Sequence, residues 1–323
     1  MRIPLITPAN AQSRYGNRRT AERWAALLRQ LGHEVSVDES WNGEAAEMMI
    51  ALHARRSHDS IARYANTYPN RPLLVALTGT DLYRDIHHNA DARDSLDLAT
   101  RLIVLQDEGL MELEPRHRVK ARVVYQSAER VRRRTPSETS FEVCVIGHLR
   151  SEKDPFRAAL AAQLLPPASR IRVIHAGGAR EDALTAEAEA HMKGNPRYDW
   201  LGEVSREEVR DLLSHVRLLV QSSFMEGGAN AISEALAAGV PVVASEIPGN
   251  VGMLGSDYPG YYPAGDERAL ARLLERAETD PAFYKRLEAG CEARRDRTLP
   301  EHEREALRAL IEEASKDRTP RST

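Results

Sequence analysis

Short apolar runs rich in Val, Ile and Leu alternate along the chain with longer segments of helical period. Ile3–Thr7, Glu34–Val37, Met48–Leu52, Leu73–Leu77, Leu102–Leu105 and Arg122–Tyr125 read as strands. Between the first two, Arg18–Leu31 places Ala21, Trp24, Ala25, Leu28 and Leu31 on one face of a helix. A second series follows at Phe141–Ile146, Ile171–His175, Leu218–Gln221 and Pro241–Ala244. Strands separated by helices predict βαβ crossovers and parallel sheets, hence an α/β fold of two doubly wound halves facing across a cleft. From Asp266 the pattern turns helical through Ala269–Ala277, Pro281–Arg294 and Glu301–Ala314, and Lys316–Thr323 reads as a frayed tail.

The polar, proline-broken stretch Ser127–Ser140, with Arg130, Arg132, Arg133 and Arg134, reads as a solvated hinge between the halves. The expected division is an N-terminal acceptor domain over 1–130 and a C-terminal donor domain over 131–300. A helix and tail over 301–323 would be free to pack back on the first domain. A length of 323 residues suits two cores better than one.

Composition narrows the class. With 42% hydrophobic residues, 29% charged and a net charge of −3, the chain has no global attraction to nucleic acid or anionic membrane. No run approaches the roughly 20 apolar residues of a membrane span, so neither partner is expected and the location expected is cytoplasmic. Cys144 and Cys291 are far apart and read as reduced thiols. His87 and His88 are adjacent rather than at metal-ligand spacing, so no metal and no cofactor is expected.

The richest segment runs Ser222-Ser223-Phe224-Met225-Glu226-Gly227-Gly228-Ala229-Asn230 and on to Glu234-Ala235-Leu236-Ala237-Ala238-Gly239-Val240-Pro241. A strand ends, a glycine-bearing loop follows, and a short helix runs from about Ala229 to Ala238 until Gly239 stops it. The glycines let a ligand approach the backbone, and the helix N-terminus offers open N–H groups to a diphosphate. Glu226 before the helix and Glu234 one turn inside it suit hydroxyl acceptors, one toward a sugar ring and one toward a ribose.

This string resembles the signature of family 4 glycosyltransferases of the GT-B fold, built from two Rossmann-like domains. The resemblance implies that Glu226 contacts the donor sugar at the reaction centre and Glu234 the ribose, with Gly227, Gly228, Ala229 and Asn230 beside them. Gly147-His148-Leu149-Arg150-Ser151-Glu152-Lys153 is similar to the family's diphosphate segment. Lys153 stands at the family's lysine, but His148 occupies the usual arginine position and Arg150 lies two residues later. Trp200-Leu201-Gly202-Glu203-Val204 resembles the strand end that cups the base, bringing in Gly202 and Val204, and Gly16 falls where the first loop approaches the diphosphate. Charge on the leaving UDP would be neutralised by Lys153, Arg150 and helix N–H groups, as in a metal-independent enzyme.

Three arginine-bearing loops begin at the carboxyl ends of predicted strands, the ligand edge of such sheets. They carry Arg14, Asn17 and Arg18; His53, Arg55 and Arg56; and Thr78, Gly79, Thr80, Asp81 and Arg84. Guanidinium forks suit a small oxyanion, although the arginines could equally pair with Asp59, Asp81 and Asp85. His53 and Asp81 are candidate bases, with loop shaping by hydrogen bonds as the alternative role. Asn17-Arg18-Arg19-Thr20-Ala21, Ala51-Leu52-His53-Ala54-Arg55-Arg56-Ser57 and Ala76-Leu77-Thr78-Gly79-Thr80-Asp81-Leu82-Tyr83-Arg84-Asp85 closely resemble the selenosugar synthases of selenoneine biosynthesis. That resemblance implies a UDP-sugar (UDP-GlcNAc or UDP-glucose) and selenophosphate as substrates, a 1-selenosugar product, and functional links to a selenophosphate-producing enzyme and a downstream selenoneine synthase. The competing expectations are a family 4 enzyme acting on a hydroxyl acceptor, a sugar-nucleotide epimerase and a non-catalytic nucleotide-sugar sensor.

Overall fold

A computed structural model describes residues 1–10, 16–179 and 181–316. Arg14 and the tail beyond Lys316 lie outside the described residues. The chain divides into two compact units, one of Met1–Gln126 with the C-terminal helix Pro300–Lys316, the other of Ser127–Leu299.

The first unit holds β1 (Arg2–Ile6), β2 (Glu34–Asp38), β3 (Met49–Leu52), β4 (Leu73–Ala76), β5 (Arg101–Val104) and β6 (Ala121–Val123). They form one parallel sheet in the order β2-β1-β3-β4-β5-β6. β3 and β4 are wholly buried, as expected of central strands covered on both faces. The helix Gly16–Gln30 buries Thr20, Ala21, Trp24, Ala25, Leu27 and Leu28. Leu307, Leu310, Ile311 and Ala314 of Pro300–Lys316 complete the same core cluster. Buried Glu303 anchors that helix, accepting from the Trp24 indole at 2.7 Å and from Arg23 Nε at 2.8 Å. A buried carboxylate is tolerated when donors meet both of its oxygens.

The second unit holds β7 (Phe141–Ile146), β8 (Ile171–Ala176), β9 (Tyr198–Trp200), β10 (Leu218–Gln221), β11 (Val242–Ser245) and β12 (Tyr261–Tyr262). Their order is β12-β11-β10-β7-β8-β9, again parallel throughout. This is the Rossmann strand order, with its switch point between β7 and β10. β12 escapes the sequence pattern because two tyrosines are too short a run to carry a period.

Ser127–Ser140 is not a solvated hinge but part of the second unit. Arg133 donates to the carbonyls of Leu213 and Val216, and Arg134 Nε to Ser214 Oγ at 2.7 Å. The arginines thus cap the carbonyl end of the helix Arg206–His215, where peptide oxygens lack intrahelical donors and the macrodipole is negative. Burial holds the Arg133 pKa below its ordinary value. No helix among the described residues is long and apolar enough to cross a membrane.

Candidate active site

In the second unit the loops after β7 and β10 leave the sheet in opposite directions, opening the crevice where doubly wound sheets bind ligands. The loop after β7 carries Arg150 and Lys153, and the loop after β10 carries Glu226. Backbone contacts stitch the two together. Phe224 N–H donates to Glu152 O at 2.9 Å, and Ser222 Oγ to the carbonyls of Lys153 at 3.1 Å and Asp154 at 2.9 Å. Asp154 takes a left-handed turn at φ 46°, ending the 3-10 turn Ser151–Lys153.

Lys153 Nζ donates to Glu226 Oε1, so the structure brings these two expected site residues into direct contact. Glu226 is buried, and the same Oε1 accepts from Gln221 Nε2 at 2.7 Å and Ser223 Oγ at 2.6 Å. Three donors on one oxygen orient the carboxylate. Behind it, Ser245 Oγ donates to Ser223 O at 2.6 Å, and Asn250 Nδ2 to Ser245 O at 2.9 Å. Gln221, Ser223, Ser245 and Asn250 were not singled out from the sequence. Gln221 closing an otherwise apolar strand was the available signal.

The helix Asn230–Ala238 begins after Ala229, whose side chain makes no capping hydrogen bond. Half-buried Glu234 sits in its second turn, and Gly227 and Gly228 precede it. Arg150 lies 3.5 Å from Glu152 and remains partly exposed.

The expected base-cupping segment is fixed by the sheet edge. Leu201 N–H donates to His175 O at 2.9 Å and Gly177 N–H to Gly202 O at 2.8 Å, while Gly202 adopts φ 70° and Val204 is half-buried beyond it. His148 Nδ1 accepts from Gly178 N–H at 3.1 Å. A Cβ on Gly177 would lie 1.9 Å from Gly147 O, so only glycine permits this approach.

Beneath the crevice, His175 is fully buried between Tyr198 OH at 2.9 Å from Nδ1 and Gly147 O at 3.0 Å from Nε2. The carbonyl requires Nε2 to donate, so Nδ1 accepts from the phenol. Desolvation lowers the His175 pKa to about 4. Because the folded value lies below the unfolded one, its contribution is present above pH 6.5 and lost as pH falls toward 4, about 3 kcal/mol in all. The wild-type urea midpoint should therefore drop more steeply between pH 7 and 4.5 than that of His175→Gln; parallel profiles would refute this coupling.

In the first unit, the loops after β3 and β4 meet. His53 is buried in a left-handed conformation at φ 74°, a strained geometry for a residue with a Cβ. Its Nδ1 accepts from Arg56 N–H at 3.3 Å, which directs the Nε2 proton to Thr80 Oγ1 at 3.1 Å. Asp81 is fully buried and accepts from three backbone N–H groups, those of Thr78 and Gly79 at 2.9 Å and Ala54 at 3.0 Å. Both nitrogens of His53 and both oxygens of Asp81 are thus hydrogen-bonded within these loops, an arrangement that braces their shape. Arg55 and Arg84 converge on Asp85, Arg56 is exposed, and Arg18 pairs with Glu22 at 2.9 Å on its own helix. Gly16 and Asn17 open that helix.

The family model for glycosyl transferases group 1 matches residues 127–294. The chain belongs to this glycosyltransferase family. Among solved structures, HepE of Anabaena in complex with UDP and glucose is similar at a TM-score of 0.76 and 16% identity, covering 97% of this chain and 100% of that one. Sucrose-phosphate synthase from Thermosynechococcus elongatus gives 0.78 and 16%, covering 97% and 98%. A glycosyltransferase from Rickettsia africae gives 0.75 and 13%, covering 98% and 99%. This glycosyltransferase therefore has the GT-B fold, and the Lys153–Glu226 contact lies inside the matched segment.

Proposed function

We propose that this glycosyltransferase joins the anomeric carbon of a UDP-sugar, UDP-GlcNAc or UDP-glucose, to the selenium of selenophosphate. A selenium lone pair forms the C1–Se bond as the C1–O bond breaks toward UDP. Water then attacks phosphorus, releasing phosphate and leaving the 1-selenosugar. A selenophosphate-producing enzyme would supply the acceptor, and a downstream selenoneine synthase would consume the product.

The observation that carries this reading is the convergence of Arg55 and Arg84 from two loops whose residue strings resemble selenosugar synthases. Two guanidinium groups suit a small oxyanion better than a neutral hydroxyl. Such an anion already has a nucleophilic atom, so orientation and charge pairing matter more than deprotonation. That is consistent with His53 and Asp81 being committed to loop structure. On the donor side, Lys153 and Arg150 would neutralise the diphosphate, Glu226 would hold the sugar and Glu234 the ribose. The UDP-bound state of the similar HepE structure supports a UDP-sugar at this position.

Purified protein incubated with either UDP-sugar should release UDP in a selenophosphate-dependent manner, with the selenosugar identified by mass spectrometry. UDP release indifferent to selenophosphate, or dependent on a hydroxyl acceptor, would overturn the assignment; binding without turnover would favour a sensor.

A further inference from the structure

Asp85 ends the wide helical turn Asp81–Asp85, in which Ile86 N–H reaches back five residues to Asp81 O. That turn keeps both carboxylates near His53, with Asp81 at 3.9 Å and Asp85 at 4.0 Å from its ring nitrogens. Asp85 is 5% exposed, whereas the side chains of Arg55 and Arg84 are 39% and 50% exposed. Arg84 donates from Nε to Oδ1 at 3.2 Å, whereas Arg55 is held as an ion pair, its Nε 2.9 Å from Oδ2 without hydrogen-bond alignment. Among the described residues, neither arginine has a recorded hydrogen bond from its terminal nitrogens.

A carboxylate on the Nε side of each guanidinium, by hydrogen bond for Arg84 and by charge for Arg55, leaves the outer N–H groups to another oxyanion. Held this way, two long side chains avoid part of the rotamer entropy that ordering on a ligand would otherwise cost. We propose that Asp85 is the positioning residue of an oxyanion subsite, pinning Arg55 and Arg84 so that their terminal nitrogens bind a phosphate-type group. The inference deepens the function proposed above, rests on it for the identity of the acceptor, and does not depend on it for the anion chemistry.

Two measurements separate these layers. Inorganic phosphate is titrated calorimetrically into the full-length protein without donor, and steady-state kinetics are run with selenophosphate. Asp85→Asn keeps the volume but loses the charge that holds the guanidiniums. It should weaken phosphate binding about tenfold and raise the selenophosphate KM by a similar factor, with kcat and donor KM changed less than twofold; Asp85→Glu should recover most of the loss. Arg55→Lys, which has a single ammonium and no fork, should also weaken phosphate binding and provides a second arm if Asp85→Asn does not fold. Absent phosphate binding by the wild type, unchanged binding in either variant, or an equal rise in donor KM overturns the subsite. Failure to form a selenosugar while phosphate binding retains its Asp85 dependence overturns only the acceptor identity.

Discussion

Glu226→Gln should lower kcat for glycosyl transfer by about 10²–10³, the loss typical when one preorganised electrostatic contact to the reacting group is removed. The substitution preserves shape, and the amide oxygen can still accept from Gln221 and Ser223. What it removes is the negative charge opposite Lys153 and, on the function proposed above, the strong acceptor for a sugar hydroxyl. Thermal stability should change little, since the new amide fills the same space. Glu234→Ala should behave differently, raising donor KM more than it lowers kcat, because the ribose contact proposed for it would be equal in ground and transition states. A kcat within threefold of wild type for Glu226→Gln would remove Glu226 from the reaction centre.

Gly249→Ala should be nearly as damaging without touching any polar group of the site. Gly249 lies in the first turn of the helix Pro248–Leu254, where a Cβ would sit 2.0 Å from Glu226 O and 2.8 Å from its carbonyl carbon. Both are backbone atoms, and no side-chain rotation relieves such a contact. The Glu226 loop would have to retreat by more than an ångström, yet Ser245 and Asn250 hold it through Ser223. Misplacement of that size costs about a hundredfold in rate, and overpacking costs about 1–3 kcal/mol of stability. Gly194→Ala is the control, since a Cβ there meets nothing within 4 Å. Equal activity in the two variants would show that the loop has slack the structure does not display.

Glu226 and Gly249 illustrate different kinds of legibility. Glu226 and Glu234 stand out because strand, loop, helix and terminal Gly239 follow in one continuous string, and local chemistry is written locally. Lys153 came from a second string, but its contact with Glu226 joins positions 73 apart. Parallel crossovers create such pairs, and spacing along the chain does not reveal them. Gly249 is silent in sequence for the same reason, because its constraint is a neighbour's backbone. Asp85 was visible only as one of three carboxylates that the arginines could reach.

The N-terminal loops needed the structure most. From sequence, His53 and Asp81 are as good as any base, since an isolated imidazole or carboxylate reads as chemistry. Three backbone N–H groups turn toward Asp81, and both His53 nitrogens are engaged, once the β3 and β4 loops come together. The same holds for Arg133 and Arg134, which read as solvated until the carbonyl end of Arg206–His215 is placed beside them.

By itself the sequence determined the alternation of buried strands and amphipathic helices, and with it two parallel α/β units, because hydrophobic period is set by each residue's own face. It also marked the string around Glu226 and Glu234 as a candidate site. Only the tertiary structure decided which polar groups are committed to the fold and which remain open to a ligand. That depends on hydrogen-bond partners brought together by crossovers and loops, and a linear pattern does not specify them.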